Sequence, residues 1–100
     1  MAEDEYLRIY SWDIGQKLGR SLITDDDQDI NSAVHGARCY LNGVDENDMA
    51  LRDCHEPRTA VQAYETLTST ADQEVKPLTD GEDLDDCMAE FRQGLESVLP

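Results

Sequence analysis

Apolar residues recur every three to four positions along most of the chain, which is the spacing of an amphipathic helix. The first run predicts a helix over about residues 4–23, with an apolar stripe formed by Leu7, Tyr10, Ile14, Leu18 and Leu22. The second run predicts a helix with an apolar stripe formed by Ile30, Ala33, Val34, Ala37 and Leu41. Asn42-Gly43 follows it and supplies a left-handed stop.

The second half of the chain predicts two longer helices and one short turn. A weak helical turn is expected at 48–54, and Pro57 starts the next helix because proline is favoured at the first helical position. The apolar positions of that helix are Ala60, Tyr64, Leu67 and Ala71. Its β-branched end, 66–70, is expected to fray or become extended, and 72–78 resembles a connector. Thr79 and Glu82 fit a capping box. The last helix then carries Leu84, Met88, Phe91, Leu95 and Leu99.

These elements predict a mostly α fold, a single acidic helical domain over residues 1–100 built as a small bundle of four to five helices. The alternative is a small α+β fold with a short N-terminal strand. Tyr6–Tyr10 reads YLRIY, which is rich in strand-forming residues. Strict apolar and polar alternation is otherwise absent, so the helical interpretation is favoured.

The net charge says more about possible partners than any motif in the sequence does. The chain has 23 acidic and eight basic residues, a net charge of −15. Such a field repels nucleic acids and anionic membranes, so direct contact with either is excluded and the expected partners are basic surfaces or cations. Hydrophobic residues make up 39% of the chain, which predicts a thin core. Adaptation to high salt is an alternative source of the acidity.

The dense acidic runs precede or begin predicted helices. Carboxylates are stabilising there because of the free N–H groups and the helix dipole. One or two would satisfy each helix start, and the remainder repel one another. The candidate partner-binding carboxylates are therefore Asp25, Asp26, Asp27, Asp29, Asp45, Glu46 and Asp48, with the run 80–86 as a second patch.

The surplus of carboxylates has two functional interpretations. A calcium loop can be started with Asp25, Asp27 and Asp29, but the template then requires glycine where the chain has Ile30 and glutamate where it has Gly36. The second reading is mimicry of a nucleic acid. Carboxylates held on a rigid frame resemble a row of phosphates and would bind a basic groove with strong salt dependence. Small acidic inhibitors of restriction, repair and CRISPR complexes, from phages and mobile elements, act in this way.

The first helix has apolar residues on two sides. Ile9, Trp12 and Ile23 point away from the main stripe, and Gly15 and Gly19 form a small-residue notch between the two sides. One interpretation is a central helix wrapped by its neighbours. The other is a partner surface or homodimer interface anchored by Trp12, since tryptophan is enriched at interface hot spots.

Histidine and cysteine residues give weak signals for chemistry. His35 and Cys39 share a helix face, and Cys54-His55 could complete four zinc ligands. Adjacent ligands cannot easily turn to one ion, and no Cys-x-x-Cys is present. A Cys–His nucleophile would lack an oxyanion loop, and acidic surroundings raise a thiol pKa. The chain is therefore predicted to have no metal, no cofactor and no enzymatic activity.

The odd number of cysteines and the acidic N-terminus favour a soluble cytoplasmic protein. The function predicted from the sequence is inhibition of a basic protein or nucleic-acid-binding complex, by occupation of the surface that holds the nucleic acid. The alternative is an antiactivator or immunity-type protein that binds through the apolar face of Ile9, Trp12 and Ile23.

Overall fold

The structure is a computed structural model that describes residues 2–24, 29–44, 54–78 and 82–100, with side chains for 6–24, 29–44, 54–78 and 83–100. Its helices are α1 (Ala2–Thr24), α2 (Ile30–Leu41), α3 (Pro57–Thr70) and α4 (Glu82–Val98). A π-helical turn (Ala71–Val75) and a 3-10 turn (Lys76–Leu78) extend α3. These ranges contain no strand, which confirms the predicted small helical bundle.

Two local predictions and the alternative of an N-terminal strand were wrong, and all three understated the helix content. Tyr6–Tyr10 lies inside α1 and forms no strand, because the helical period continues on its C-terminal side. The β-branched stretch 66–70 remains helical, and 72–78 is wound into the π-helical and 3-10 turns. Burial of Ala71 and Val75 explains why winding continues there, since both belong to the core.

Helix ends follow the expected chemistry. Asp29 is the N-cap of α2 and its carboxylate accepts a hydrogen bond from the Asn31 N–H at 3.0 Å. Gly43 follows Asn42 with φ of 71°, so the left-handed stop is confirmed. Pro57 begins α3. The turn expected at 48–54 and the capping threonine Thr79 lie outside the described residues, apart from Cys54.

Helices α1 and α4 form a close parallel pair. A Cβ added to Gly15 would lie 2.0 Å from the Phe91 carbonyl oxygen, and one added to Gly94 would lie 2.0 Å from the Trp12 carbonyl oxygen. Gly19 faces Val98 one turn further along both helices. The notch predicted on the first helix is thus filled by α4, and the glycines allow the backbones to touch.

Helices α2 and α3 form a second parallel pair. The Ser32 hydroxyl accepts a hydrogen bond from the Glu56 N–H at 2.9 Å, just before α3. One turn later Gly36 faces the Ala60 carbonyl oxygen, where a Cβ would approach to 2.2 Å. Tyr40 and Tyr64 meet edge to face one turn further. Parallel neighbours need a long connection, and residues 42–56 separate the two helices in the sequence.

The two pairs run in opposite directions and enclose the core. Arg38 donates a hydrogen bond to the Pro100 carbonyl. Tyr40 contacts Phe91 edge to face, with ring centroids 6.2 Å apart. These contacts show that α2 and α4 are antiparallel. The largest fully buried apolar side chains are Phe91, Leu67, Leu95 and Val75. None of the described helices has an apolar stretch that could cross a bilayer.

Candidate protein-binding surfaces

Helix α4 is the most acidic element that the structure describes. Its carboxylates are Asp83, Asp85, Asp86, Glu90 and Glu96, with Glu82 at its first position. Asp85, Asp86 and Glu96 are exposed, and Asp83 and Glu90 are half-buried. The helix buries its other side through Cys87, Phe91, Gly94 and Leu95. The acids therefore lie along about 20 Å of one rigid helix.

Two bases moderate this face. Arg8 of α1 pairs with Asp86, with an N–O distance of 3.1 Å between two largely exposed side chains. Arg92 is the one base in α4, and its guanidinium lies over the Tyr40 ring, 5.1 Å from the centroid. Because that cation is turned towards the core side of the helix, Asp85 and Glu96 face solvent without a described ion-pair partner.

The Tyr40 side chain shows how tightly Arg92 is held. Tyr40 is buried and meets Tyr64 and Phe91 edge to face, and within the described ranges its hydroxyl has no hydrogen-bond partner of good geometry. Burial raises the pKa of this phenol, and the positive charge of Arg92 partly opposes the rise. The cation and the ring therefore stabilise each other at the boundary between core and surface.

The carboxylates predicted as the first partner-binding patch are only partly placed by the structure. Asp29 accepts hydrogen bonds from the Asn31 N–H and from the Ser32 hydroxyl, so its role in this fold is to cap α2. The other members lie outside the described residues: Asp25, Asp26, Asp27, Asp45, Glu46 and Asp48. The described part of the second patch is Asp83, Asp85 and Asp86, which α4 holds together.

Sequence reasoning missed Glu90 and Glu96 as members of the acidic face. Both follow the run 80–86 on the same helix, and Glu90 comes one helical turn after Asp86. The helical spacing was therefore the signal that could have identified them. Each of them is an isolated acid in the sequence, outside the dense runs at the helix starts.

The apolar residues proposed on α1 divide between two environments. Ile9 is 56% exposed, whereas Trp12 and Ile23 are half-buried. The helix is not wrapped on all sides, because Tyr6 and Tyr10 are 66% and 41% exposed. Their rings stack with centroids 6.3 Å apart. The exposed apolar surface of α1 therefore centres on Tyr6, Ile9 and Tyr10. Of these three residues, Ile9 was predicted to belong to a partner surface.

A recess runs beside this exposed surface, between α1 and the end of α3. It has a volume of about 410 Å³. Tyr10, Ile14 and Leu18 supply its apolar lining. Its polar lining comes from Asp13, Lys17, Thr70 and Glu74. The recess extends the contact surface of α1 in the C-terminal direction.

The histidine and cysteine residues do not gather into a described metal centre. The Cys39 sulfur lies 3.6 Å from His35 Nε2, and Cys54 packs against the small cluster of Cys39 and Ala60. Within the described ranges, no three His, Cys, Asp or Glu side chains are arranged to hold a metal ion. Burial raises the pKa of the Cys39 thiol, which disfavours the nucleophilic thiolate.

Comparisons with known proteins give no relative from which a role could be transferred. No protein-family model matches the chain, and neither the curated proteins nor the solved structures contain a match.

Proposed function

We propose that this is a non-enzymatic acidic binding protein that inhibits a basic partner by occupying its nucleic-acid-binding surface. The observation that carries the proposal is the α4 face, on which Asp83, Asp85, Asp86, Glu90 and Glu96 follow one helix. A partner that binds phosphates with lysine and arginine presents the complementary charge.

The packing of α4 supports this role because it fixes the helix backbone that carries the carboxylates. Gly15 and Gly94 bring the backbones of α1 and α4 into contact, so the C-terminal half of α4 is held against α1. A fixed row of charges loses little entropy on binding, which is the advantage of a preorganised surface. A flexible acidic tail would lose more.

The net charge of −15 supports rapid association with a basic partner. Opposite charge steers diffusional encounter and raises the association rate, and added salt reduces both effects. The proposed inhibitor therefore competes with nucleic acid under low and moderate salt and loses affinity steeply as salt rises.

A second candidate is an antiactivator or immunity-type protein that binds through its apolar helix face. The exposed Ile9 side chain favours it, and Trp12 and Ile23 could contribute their exposed edges. In that case the acidic residues would increase the solubility of the protein and its rate of association with the target. The two candidates differ in whether loss of carboxylates or loss of apolar side chains abolishes binding.

The test starts with affinity capture from an extract of the source cells at about 50 mM NaCl, where electrostatic binding is strong. The captured protein is purified and loaded with a fluorescently labelled nucleic acid. Displacement of the nucleic acid by increasing amounts of this protein supports the proposal. A partner that holds both ligands at once, or one with no affinity for nucleic acid, contradicts it.

A further inference from the structure

Two of the three cysteines meet in one small cluster that is separate from the main core. Cys39 and Ala60 are its buried members, and Cys54 packs against them. The third cysteine, Cys87, belongs to the main core, where it is 1% exposed. All three are thiols rather than disulfides. The fold therefore brings Cys39 and Cys54 to the same place, although the connection between α2 and α3 separates them in the sequence.

The parallel pair of α2 and α3 positions Cys39. Gly36 touches the backbone of Ala60, and Cys39 comes three residues after Gly36 on the same side of α2. The Cys39 carbonyl accepts a hydrogen bond from the Val44 N–H at 2.9 Å, so the chain that leaves α2 turns back beside it. Cys54 lies in a bend just before α3. Because that bend belongs to no helix, its backbone can adjust to the Cα separation of about 4–7 Å that a disulfide requires.

The two thiols differ in access and in their neighbours. Cys54 is half-buried, so a small molecule can reach its sulfur, whereas Cys39 is 9% exposed. The Cys39 sulfur lies 3.6 Å from His35 Nε2. In the tautomer that carries its proton on Nδ1, this imidazole can accept the proton of the Cys39 thiol. Burial raises the pKa of Cys39, so this thiol needs a neighbouring base to become a nucleophile.

We propose that Cys54 and Cys39 form a redox-sensitive disulfide by exchange with a small-molecule disulfide such as oxidised glutathione. The Cys54 thiol loses its proton to solvent and its sulfur attacks the glutathione disulfide, whose S–S bond breaks and releases one glutathione. The Cys39 sulfur then attacks the Cys54 sulfur as its proton passes to His35. The second glutathione leaves as a thiolate and takes up that proton. Two protein thiols are oxidised, and one glutathione disulfide is reduced to two thiols.

The disulfide closes the chain between Cys39 and Cys54 into a ring. This part of the sequence carries Asp45, Glu46 and Asp48, three of the carboxylates predicted to bind a partner. The cross-link ties both ends of that acidic stretch to the pair of α2 and α3, and it restricts the unfolded chain. The proposal does not depend on the proposed inhibition of a basic partner.

Mass spectrometry of the wild-type protein, incubated with mixtures of reduced and oxidised glutathione, tests this disulfide. Peptide mapping without reductant should find Cys39 linked to Cys54. Thiol titration in denaturant should fall from three thiols per chain to the single thiol of Cys87, and a reducing agent should restore all three. The proposal is overturned by an unchanged thiol count, by glutathione that remains on Cys54, or by a disulfide that contains Cys87 or joins two chains.

Four variants separate the steps, and circular dichroism checks that each keeps its helix content. Cys39→Ser should retain one glutathione on Cys54, because the thiol that displaces it is gone. Cys54→Ser should take up no glutathione and form no cross-link, and a cross-link in either variant would overturn the pairing. Cys87→Ser is the matched control and should form the disulfide as wild type does. His35→Gln should form the mixed disulfide at the wild-type rate but resolve it at least about tenfold more slowly, and an unchanged rate of resolution would overturn the role of the histidine.

Discussion

The backbone of α1 at Gly15 touches the backbone of α4 at Phe91, where any side-chain carbon on Gly15 would fall 2.0 Å from the carbonyl oxygen. Gly94 makes the reciprocal contact with the Trp12 carbonyl. Backbone atoms cannot move aside as a flexible side chain can. The acidic helix and the helix with the exposed tyrosines are consequently joined back to back, and each presents its other side to solvent.

Gly15→Ala is expected to lower the free energy of unfolding by about 1–3 kcal/mol, as overpacking of a close contact does. In an ordinary exposed helix position the same change would stabilise by about 1 kcal/mol, so the sign is diagnostic. Gly19→Ala is the matched comparison, because its added carbon meets the side chains of Val98 and Leu95 first. Urea denaturation should rank Gly15→Ala below Gly19→Ala, and an unchanged or raised stability for Gly15→Ala would refute the close contact.

Asp29 is expected to act through capping. Asp29→Ala removes the acceptor for the Asn31 N–H and the Ser32 hydroxyl, and should lower the free energy of unfolding by about 1 kcal/mol. Asp29→Asn keeps an oxygen that accepts from the Asn31 N–H but loses the charge and the second oxygen, which accepts from Ser32, so it should lose less stability than Asp29→Ala. Thermal or urea unfolding of the two variants compares these effects. Equal losses in both would show that the hydrogen bond to the Asn31 N–H contributes little.

Tyr40→Phe is expected to leave the free energy of unfolding at neutral pH unchanged or slightly raised. Among the described residues the buried hydroxyl makes no hydrogen bond of good geometry, although the Arg92 guanidinium lies close to it. An unsatisfied buried hydroxyl costs about 1–3 kcal/mol. A typical tyrosine that donates a buried hydrogen bond would instead lose stability on this change. Urea unfolding measures the difference, and a loss above about 1 kcal/mol would mean that the hydroxyl is bonded.

The same residue predicts a dependence on alkaline pH. Burial raises the pKa of Tyr40 in the folded protein, with Arg92 partly opposing the rise. A raised pKa means that folding favours the neutral phenol, so its contribution is complete below the unfolded pKa of about 10 and is lost as pH rises above it. Wild type should lose stability above that pH more steeply than Tyr40→Phe. Equal slopes in urea unfolding would contradict the assignment.

If the acidic face of α4 binds the partner, charge-removing variants on α4 should weaken binding more than similar variants on α3. Asp85→Asn combined with Glu96→Gln removes two exposed charges from that face and should weaken binding to the captured basic partner by about tenfold or more at low salt. Glu65→Gln combined with Glu74→Gln removes two exposed charges from α3 and its π-helical turn and is the matched control. Isothermal titration calorimetry measures the dissociation constant of each double variant with the captured partner. If the two double variants weaken binding equally, net charge rather than the α4 face determines affinity.

Most of the fold was predictable because helical periodicity depends only on local spacing. The starts of α2 and α3 and the stop at Gly43 were readable from Asp29, Pro57 and Asn42-Gly43, since each acts on its own backbone neighbourhood. The π-helical and 3-10 turns that extend α3 through 72–78 could not be predicted from local spacing. The segment was predicted to be a connector, but burial of Val75 in the core keeps it wound.

The arrangement of helices and surfaces was harder to predict than the helices themselves. A notch at Gly15 and Gly19 indicates close approach but does not say which helix approaches, so the notch could equally have been an interface between chains. The exposure of Tyr6 and Tyr10 was missed because tyrosine fits both core and surface. Acidic residues are likewise ambiguous, and Asp29 shows that a capping role and a surface charge have the same appearance in sequence.

The central claim is that the surplus negative charge binds a positively charged protein surface. The most direct test is the dissociation constant of the complex with the captured partner, measured between about 50 and 300 mM NaCl. A surface that replaces several phosphates predicts that log Kd rises linearly with log salt and that affinity falls by at least about a hundredfold over this range. A dissociation constant that stays the same across the range would contradict the claim and would favour binding through the apolar side of α1.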